Sequence, residues 1–464
     1  MLLLDNLGRS VRVPVESLPQ GLRPRSQTGL KYQTPAPQKG IVPSPEVQEK
    51  LQSMQEGQPA FEWFPAAPPH LMPYLYSQDE LGNTVARPGP LIDVFPLEPL
   101  VQGAKTWSSG QGLRYSLQQT FTYSGMSDVM QGDNDLGNYN LDLAAKWAVF
   151  DRRGDLSTAG WLSTQIQYQT ALGGVGQTQS VQGNIGSLTN PLQFRSSHSG
   201  WRVPELAWQQ SFDAGRWVAL AGVISQRNYL DGNGYANSGR GQFLNSALVN
   251  SMVLPLPAYD YALNLQWQPS NHWYGMLGYS VGNANAGEKP GTNFSWDAWS
   301  LEWEVGYMTS DLFGLGRGVY RIQPFLARAD GSVQGGLGFN LEQQLGPGSP
   351  FGWFGRFGFG GSEVSGGAKA QVGTGFVMHA PLKYAGWVPR LSNDLLGVGF
   401  VWSQPSATTK TVYHDNEYVF ETFYTLQLSP TTLMQPDLQV VWNPAFNPDP
   451  GPVVVFQFQF VVKW

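Results

Sequence analysis

Between residues 112 and 464 the chain alternates apolar and polar residues in one segment after another. Successive side chains of a β-strand point to opposite faces, so this alternation describes a sheet lying between two unlike environments. Residues 113–123 set the pattern. Leu113, Tyr115, Leu117, Phe121 and Tyr123 share one face, and Arg114, Ser116, Gln118, Thr120 and Thr122 share the other. Residues 139–149, 259–268 and 299–307 repeat it, the last with Trp299, Leu301, Trp303, Val305 and Tyr307 opposite Ser300, Glu302 and Glu304. Sixteen candidate strands follow: 112–124, 138–150, 159–170, 204–212, 217–225, 258–268, 272–281, 296–308, 318–327, 331–344, 351–360, 367–378, 394–403, 417–428, 433–443 and 453–464. Most reach the about 9–11 residues that a tilted strand needs to cross a bilayer.

The connections alternate as well. Residues 125–137, 171–203, 226–257, 282–295 and 404–416 are long, while most of those between them are tight turns; 328–330 and 379–393 break the trend. Long loops at one rim and short turns at the other are the pattern of outer-membrane barrels. Lipid leaves no tolerable open sheet edge, so the strands must close on themselves. The expected fold is therefore all-β: a closed 16-stranded antiparallel transmembrane β-barrel, wide enough to enclose water. A soluble barrel would reverse the two faces. Trp and Tyr near strand ends on the apolar face and glutamines on the polar face favour lipid outside and water inside. The last strand carries Val454, Phe456, Phe458, Phe460, Val462 and Trp464 on one face, with Gln457, Gln459 and Lys463 opposite.

Composition removes other classes. Gly makes up 55 of 464 residues, charged residues only 13%, and there is no Cys. That excludes a helix bundle and a disulfide-stapled domain. A net charge of −6 without a basic run argues against nucleic acid. No apolar run approaches the roughly 18 residues of a spanning helix. His70, His198, His272, His379 and His414 are scattered without metal spacing, so neither catalysis nor a cofactor is indicated. An active uptake receptor would need about 22 strands and a plug, for which the chain is too short.

Residues 1–100 hold 16 of the 34 prolines, and 1–105 read as a separate Pro-rich segment, periplasmic or packed at the barrel mouth, ahead of a barrel over 106–464. Ser44 as cap, Pro45 at the first position and Val47, Leu51 and Met54 on one face predict a short helix over 44–57. Met1–Leu4 has neither a basic lead nor a long apolar core, so a signal peptide is expected upstream of Met1 in the gene.

Four stretches resemble one family, the carbohydrate-selective porins of Gram-negative outer membranes, OprB type. They are Asn140–Asp151 leading to Gln165–Gly173, then Asn228–Asn250, Glu421–Tyr424 and Gln435–Pro444. The similarity spans roughly 112–464. It implies an integral outer-membrane channel passing mono- and small oligosaccharides by passive diffusion, in contact with lipid and lipopolysaccharide. The final strand ending at Trp464 resembles the signal read by the barrel assembly machinery. Monomer and homo-oligomer are both open, and so is the identity of the sugar. A general small-solute porin and, further off, a soluble carbohydrate-binding β protein remain the alternatives.

The polar faces supply the candidate lumen. Cations are Arg114, Lys146, Arg321, Arg356, Lys369 and Lys463; anions are Asp142, Glu205, Asp260, Glu302, Glu304, Glu342, Glu417, Glu421 and Asp437. Six against nine gives no strong single-sign ring, and glutamines such as Gln118, Gln371, Gln435 and Gln439 suit an uncharged polyol. Of these, Arg114, Lys146, Glu302, Glu304, Arg321, Arg356, Glu417 and Glu421 are candidates for contact with the solute. By the same resemblance, the loop 226–257 folds inward and narrows the pore, with Arg227, Asp231, Asn233, Asn237 and Arg240 as constriction residues.

Overall fold

The computed structural model describes Leu2–Leu4, Ser10–Arg12, Leu91 and the chain from Glu98 onward, except 151–159, 173–178, 193–198, 214–215, 271, 282–296, 330, 362–366, 390, 392, 407–409, 430 and 450. The expected helix over 44–57 lies outside the described residues. Leu2–Leu4 and Ser10–Arg12 pair as two short antiparallel strands.

The barrel strands are β1 Leu113–Met126, β2 Asp135–Phe150, β3 Gly160–Leu172, β4 Gly200–Phe212, β5 Trp217–Ile224, β6 Asp260–Trp267, β7 Trp273–Val281 and β8 Trp299–Thr309. They continue as β9 Gly318–Ala329, β10 Ser332–Gln344, β11 Phe351–Gly360, β12 Ala368–His379, β13 Leu395–Pro405, β14 Glu417–Ser429, β15 Thr432–Trp442 and β16 Val453–Lys463. Each pairs antiparallel with its neighbour in sequence, and β16 returns to β1 with Phe458 opposite Tyr123. The expected sixteen-stranded closed barrel is what forms, each strand within a few residues of its expected span. Beyond Lys463, the Trp464 amide donates to the Leu117 carbonyl at 2.8 Å and extends the seam.

The two faces separate as the alternation requires. Tyr123, Leu263, Phe359 and Phe376 stand exposed on the outside, whereas Gln457, Gln459, Asn340 and Gln439 are buried inside. An apolar exterior of this kind is what hydrocarbon covers. Register shifts adjust the pattern locally. A bulge between Gln165 and Gln167 pairs these two β3 residues with Glu205 and Arg202 of β4, three positions apart, so both charges face inward. A second, between Ala368 and Ala370, leaves Ala368 buried and Lys369 exposed, so Lys369 does not join the lumen face where alternation alone had placed it.

One helix near the barrel was not foreseen. α1, Glu98–Gly110, runs across residue 105 and packs beside β1, with Ser108 buried and Trp107 exposed. Its residues lack an unbroken apolar stripe, which hid it from a periodicity search.

Candidate functional site

The segment between β5 and β6 lies inside the barrel. Phe243, Leu244, Ala247, Leu248 and Val249, the last three within the short helix α3 (Ser246–Val249), are fully buried. Phe243, Ala247, Leu248 and Val249 pack with Ala236 against Phe354, Val377, Val401, Val419, Phe423 and Val441 on the inner faces of β11 to β15. The Phe243 ring meets Phe354 and Phe423 edge-on, at centroid distances of 5.2 and 4.8 Å. The barrel thus contains a hydrophobic core in its own lumen. Two inner-face glycines make the seating close. A Cβ on Gly399 would lie 2.8 Å from Phe243 and 2.9 Å from Leu248, and one on Gly278 would lie 2.8 Å from Leu230.

Polar anchors fix the same segment. Asp231, with φ +63°, is wholly buried. Its carboxylate accepts from Arg356 Nε at 3.1 Å, Asn340 Nδ2 at 2.6 Å and the Ser251 amide at 2.6 Å. Its own amide donates to Glu304 at 2.8 Å. Arg356 also donates to the Asp231 carbonyl at 2.9 Å and to the Leu248 carbonyl. Neighbouring Arg321 donates to Tyr274 at 2.8 Å and lies 3.6 and 3.5 Å from Glu304 and Glu342. Glu342 accepts from the Gly234 amide, and Glu421 from the amides of Leu244 and Asn245. Gln371 and Gln435 accept from the amides of Met252 and Gly241. Carboxylates that accept backbone amides satisfy donors which a buried loop would otherwise leave open.

A second infolded piece supports the first. Glu417 gathers the amides of Leu188, Thr189 and Ala445 and the hydroxyls of Ser187 and Thr189, all within 2.6–2.9 Å. The preceding short helix α2, Val181–Ile185, is capped by Ser180 and adds Val181 and Ile185 to the lumenal core.

Arg240, in the turn of the infolded segment, reaches β2 and pairs with Asp142. Asp142 also accepts from Asn140 at 2.6 Å, Gln165 at 2.9 Å and Gln167 at 2.7 Å. Lys146, two residues further along β2 on the same face from Ala144, donates to Gln209 of β4 at 3.4 Å. Burial pushes up the Tyr235 phenol, which lies over Gly352 and stays neutral, and burial likewise raises the Asp394 carboxyl at the same rim.

The sequence-derived candidates therefore divide. Asp231, Asn233, Glu304, Arg321, Arg356, Glu417 and Glu421 hold the infolded segments, Asn233 through bonds of 2.7 and 3.0 Å to Asn340 and the Leu341 carbonyl. Arg240 and Lys146 meet the wall of β2 and β4. Asn237 is half-buried and accepts from the Asn233 amide at 3.3 Å. Arg227 is exposed and donates to the Leu256 carbonyl at 3.1 Å. Glu302 is buried, with neither carboxylate oxygen partnered among the described residues. Arg114 stands opposite Lys146 in the register. Asn340 was missed, because an Asn on a polar strand face carries no signal of its own. Asp142, Glu342, Gln371 and Gln435 were placed on the lumen face but given no part in the constriction. Among the described residues no cluster of His, Cys, Asp and Glu could hold a metal ion.

Comparison with known proteins agrees with this geometry. Residues 307–463, about a third of the chain, match the family described as carbohydrate-selective porin, OprB family. No curated protein matches the sequence. The fold is similar to the high-pH structure of OprB from Pseudomonas putida, with a TM-score of 0.63 at 13% identity over 78% of this chain and 96% of that one. The low-pH structure of the same protein matches with a TM-score of 0.50 at 13% identity, over 81% and 99%. The resemblance read from the sequence is borne out by the family match, and the porin fold by the structures.

Proposed function

We propose that this chain is an outer-membrane porin through which small carbohydrates diffuse passively along a water-filled path. One observation carries the reading: a long loop is folded into a sixteen-stranded barrel and brings Arg240 onto a wall of amides and hydroxyls around Asp142. Charge is paired in this region and uncharged hydrogen-bonding groups predominate, which suits a neutral polyol exchanging water for protein partners. The apolar exterior calls for outer-membrane lipid and lipopolysaccharide around it. The aromatic-ended β16 fits recognition by the barrel assembly machinery. The Pro-rich 1–105 segment is assigned to the periplasmic side or the barrel mouth. Passive diffusion needs neither energy source nor cofactor.

Liposome swelling tests this reading. Proteoliposomes should swell faster in glucose and maltose than in zwitterionic amino acids of equal size. Equal rates across all these solutes would favour a general porin, and protein that never requires detergent would remove the channel altogether.

A further inference from the structure

We infer that the inner wall of β16, β1, β2 and β3 is a hydrogen-bonding track for oligosaccharide hydroxyls, with Asp142 as the residue that holds Arg240 in place. The inference rests on the carbohydrate reading above and deepens it.

The register assembles the track. Across β1 and β2, Gln118 stands opposite Asp142, Thr120 opposite Asn140 and Thr122 opposite Asn138. β3 continues the rows with Gln167 opposite Asp142 and Gln169 opposite Asn140. β16 adds Gln459 opposite Thr122 and Lys463 opposite Gln118. Inward residues two apart along a strand repeat at about 7 Å, and neighbouring strands lie about 4.8 Å apart. The result is a grid of amides and hydroxyls three rows deep.

That grid has open hydrogen-bonding positions. Gln118 Nε2, Thr120 Oγ1, both side-chain polar atoms of Asn138, Asn140 Oδ1, Gln167 Oε1 and Gln459 Oε1 are buried with no partner among the described residues. All six residues are more than nine-tenths buried. On the inner wall of β10 to β15, Asn340, Gln371, Gln435 and Gln439 bond to the infolded segments, and the unpartnered atoms there are fewer, Ser403 Oγ and Asp437 Oδ2. Buried polar groups left open are costly, so they mark where water or a hydroxylated solute must bond. Donors and acceptors are interspersed, as the hydroxyls of a sugar require and an ion does not.

Asp142 sets the electrostatics of the track. It accepts from three side-chain amides and also pairs with Arg240. Those amides hold the carboxylate at a defined place, and the carboxylate holds the guanidinium. Arg240 can then offer planar donors to hydroxyls without adding net charge to the passage. Asp142 is thus a positioning residue for Arg240 as well as part of the track.

Planar-bilayer recordings under a KCl gradient, with maltotriose as the probe, separate the two parts of the inference. Asp142→Asn should shift the reversal potential toward chloride selectivity and Arg240→Gln toward potassium, while the double variant should return close to the starting value. In maltotriose block the two substitutions should not compound, because Arg240 without Asp142 is no longer held in place; losses that multiply in the double variant would overturn the pairing. Gln118→Met with Thr120→Val keeps side-chain volume and removes two sets of hydrogen-bonding atoms. It should leave ionic conductance and heat-modifiable gel migration unchanged while weakening maltotriose block about threefold to tenfold, the worth of one or two net hydrogen bonds. Block unchanged in this variant but present in the parent would overturn the track. A parent channel that maltotriose never blocks, with reversal potentials still shifting as expected, would overturn the carbohydrate reading and the track with it.

Discussion

Arg356 illustrates how a single residue can be legible in type and not in role. Its place on the polar face of β11 is plain from alternation, and the natural expectation is a cation bathed in lumen water. Instead it is wholly buried against Asp231, 125 residues away in sequence. Removing one member of a buried ion pair strands the other charge, at a cost of about 3–5 kcal/mol. Arg356→Met should therefore release the infolded segment, seen as new protease cleavage within 226–257 and noisier, larger single-channel currents. The double variant Arg356→Met with Asp231→Asn should recover much of the quiet state; no recovery would mean that Arg356 acts mainly through the Leu248 carbonyl. Gly399 tests packing at the same scale. Its absent Cβ makes room for Phe243 and Leu248. Gly399→Val overpacks that seat at a cost of about 1–3 kcal/mol, and the same cleavage assay should report it, with the barrel's detergent-resistant migration intact.

At the scale of elements, the strands were readable from periodicity, and the infolded loop only through the family resemblance. A strand announces itself in ten residues, because its two environments differ at every step. The loop announces nothing in its own sequence: Phe243, Leu244, Leu248 and Val249 fit neither a period of two nor a long helix. A signal does exist on the partner strands. Inner positions of β11 to β14 that should be polar are instead Phe354, Val401, Gly399 and Phe423, so the lumen face loses its polarity where something covers it. The unforeseen α1 belongs to the same class, since its place depends on β1 and not on a stripe of its own. Replacing 236–249 by a short Gly-Ser linker removes the lumenal core residues and the Arg240 contact together. That variant should conduct more current than the parent and lose discrimination between sugars and amino acids of equal size. Unaltered conductance would show that this loop does not define the narrow part of the path.

For the whole molecule, closure is the decisive constraint. Sixteen strands pair in sequence order and the last finds the first, so no edge faces lipid. The high glycine content follows in part from this plan, because a filled lumen needs inner positions without side chains where loop residues press against the wall. The lumen then divides into a side whose polar groups bond mostly to the infolded segments, and a side over β16 to β3 that keeps more buried polar atoms unpartnered among the described residues. Charge count alone could not foresee that division, since it weighs Arg356 and Lys146 equally. The most direct test is the swelling rate of liposomes carrying the purified parent protein in isotonic maltose, compared with an amino acid of matched size. Faster entry of the sugar, abolished by no energy poison and reduced in the Gln118→Met, Thr120→Val variant, is the predicted result. Liposomes that stay as tight to maltose as protein-free vesicles would contradict it.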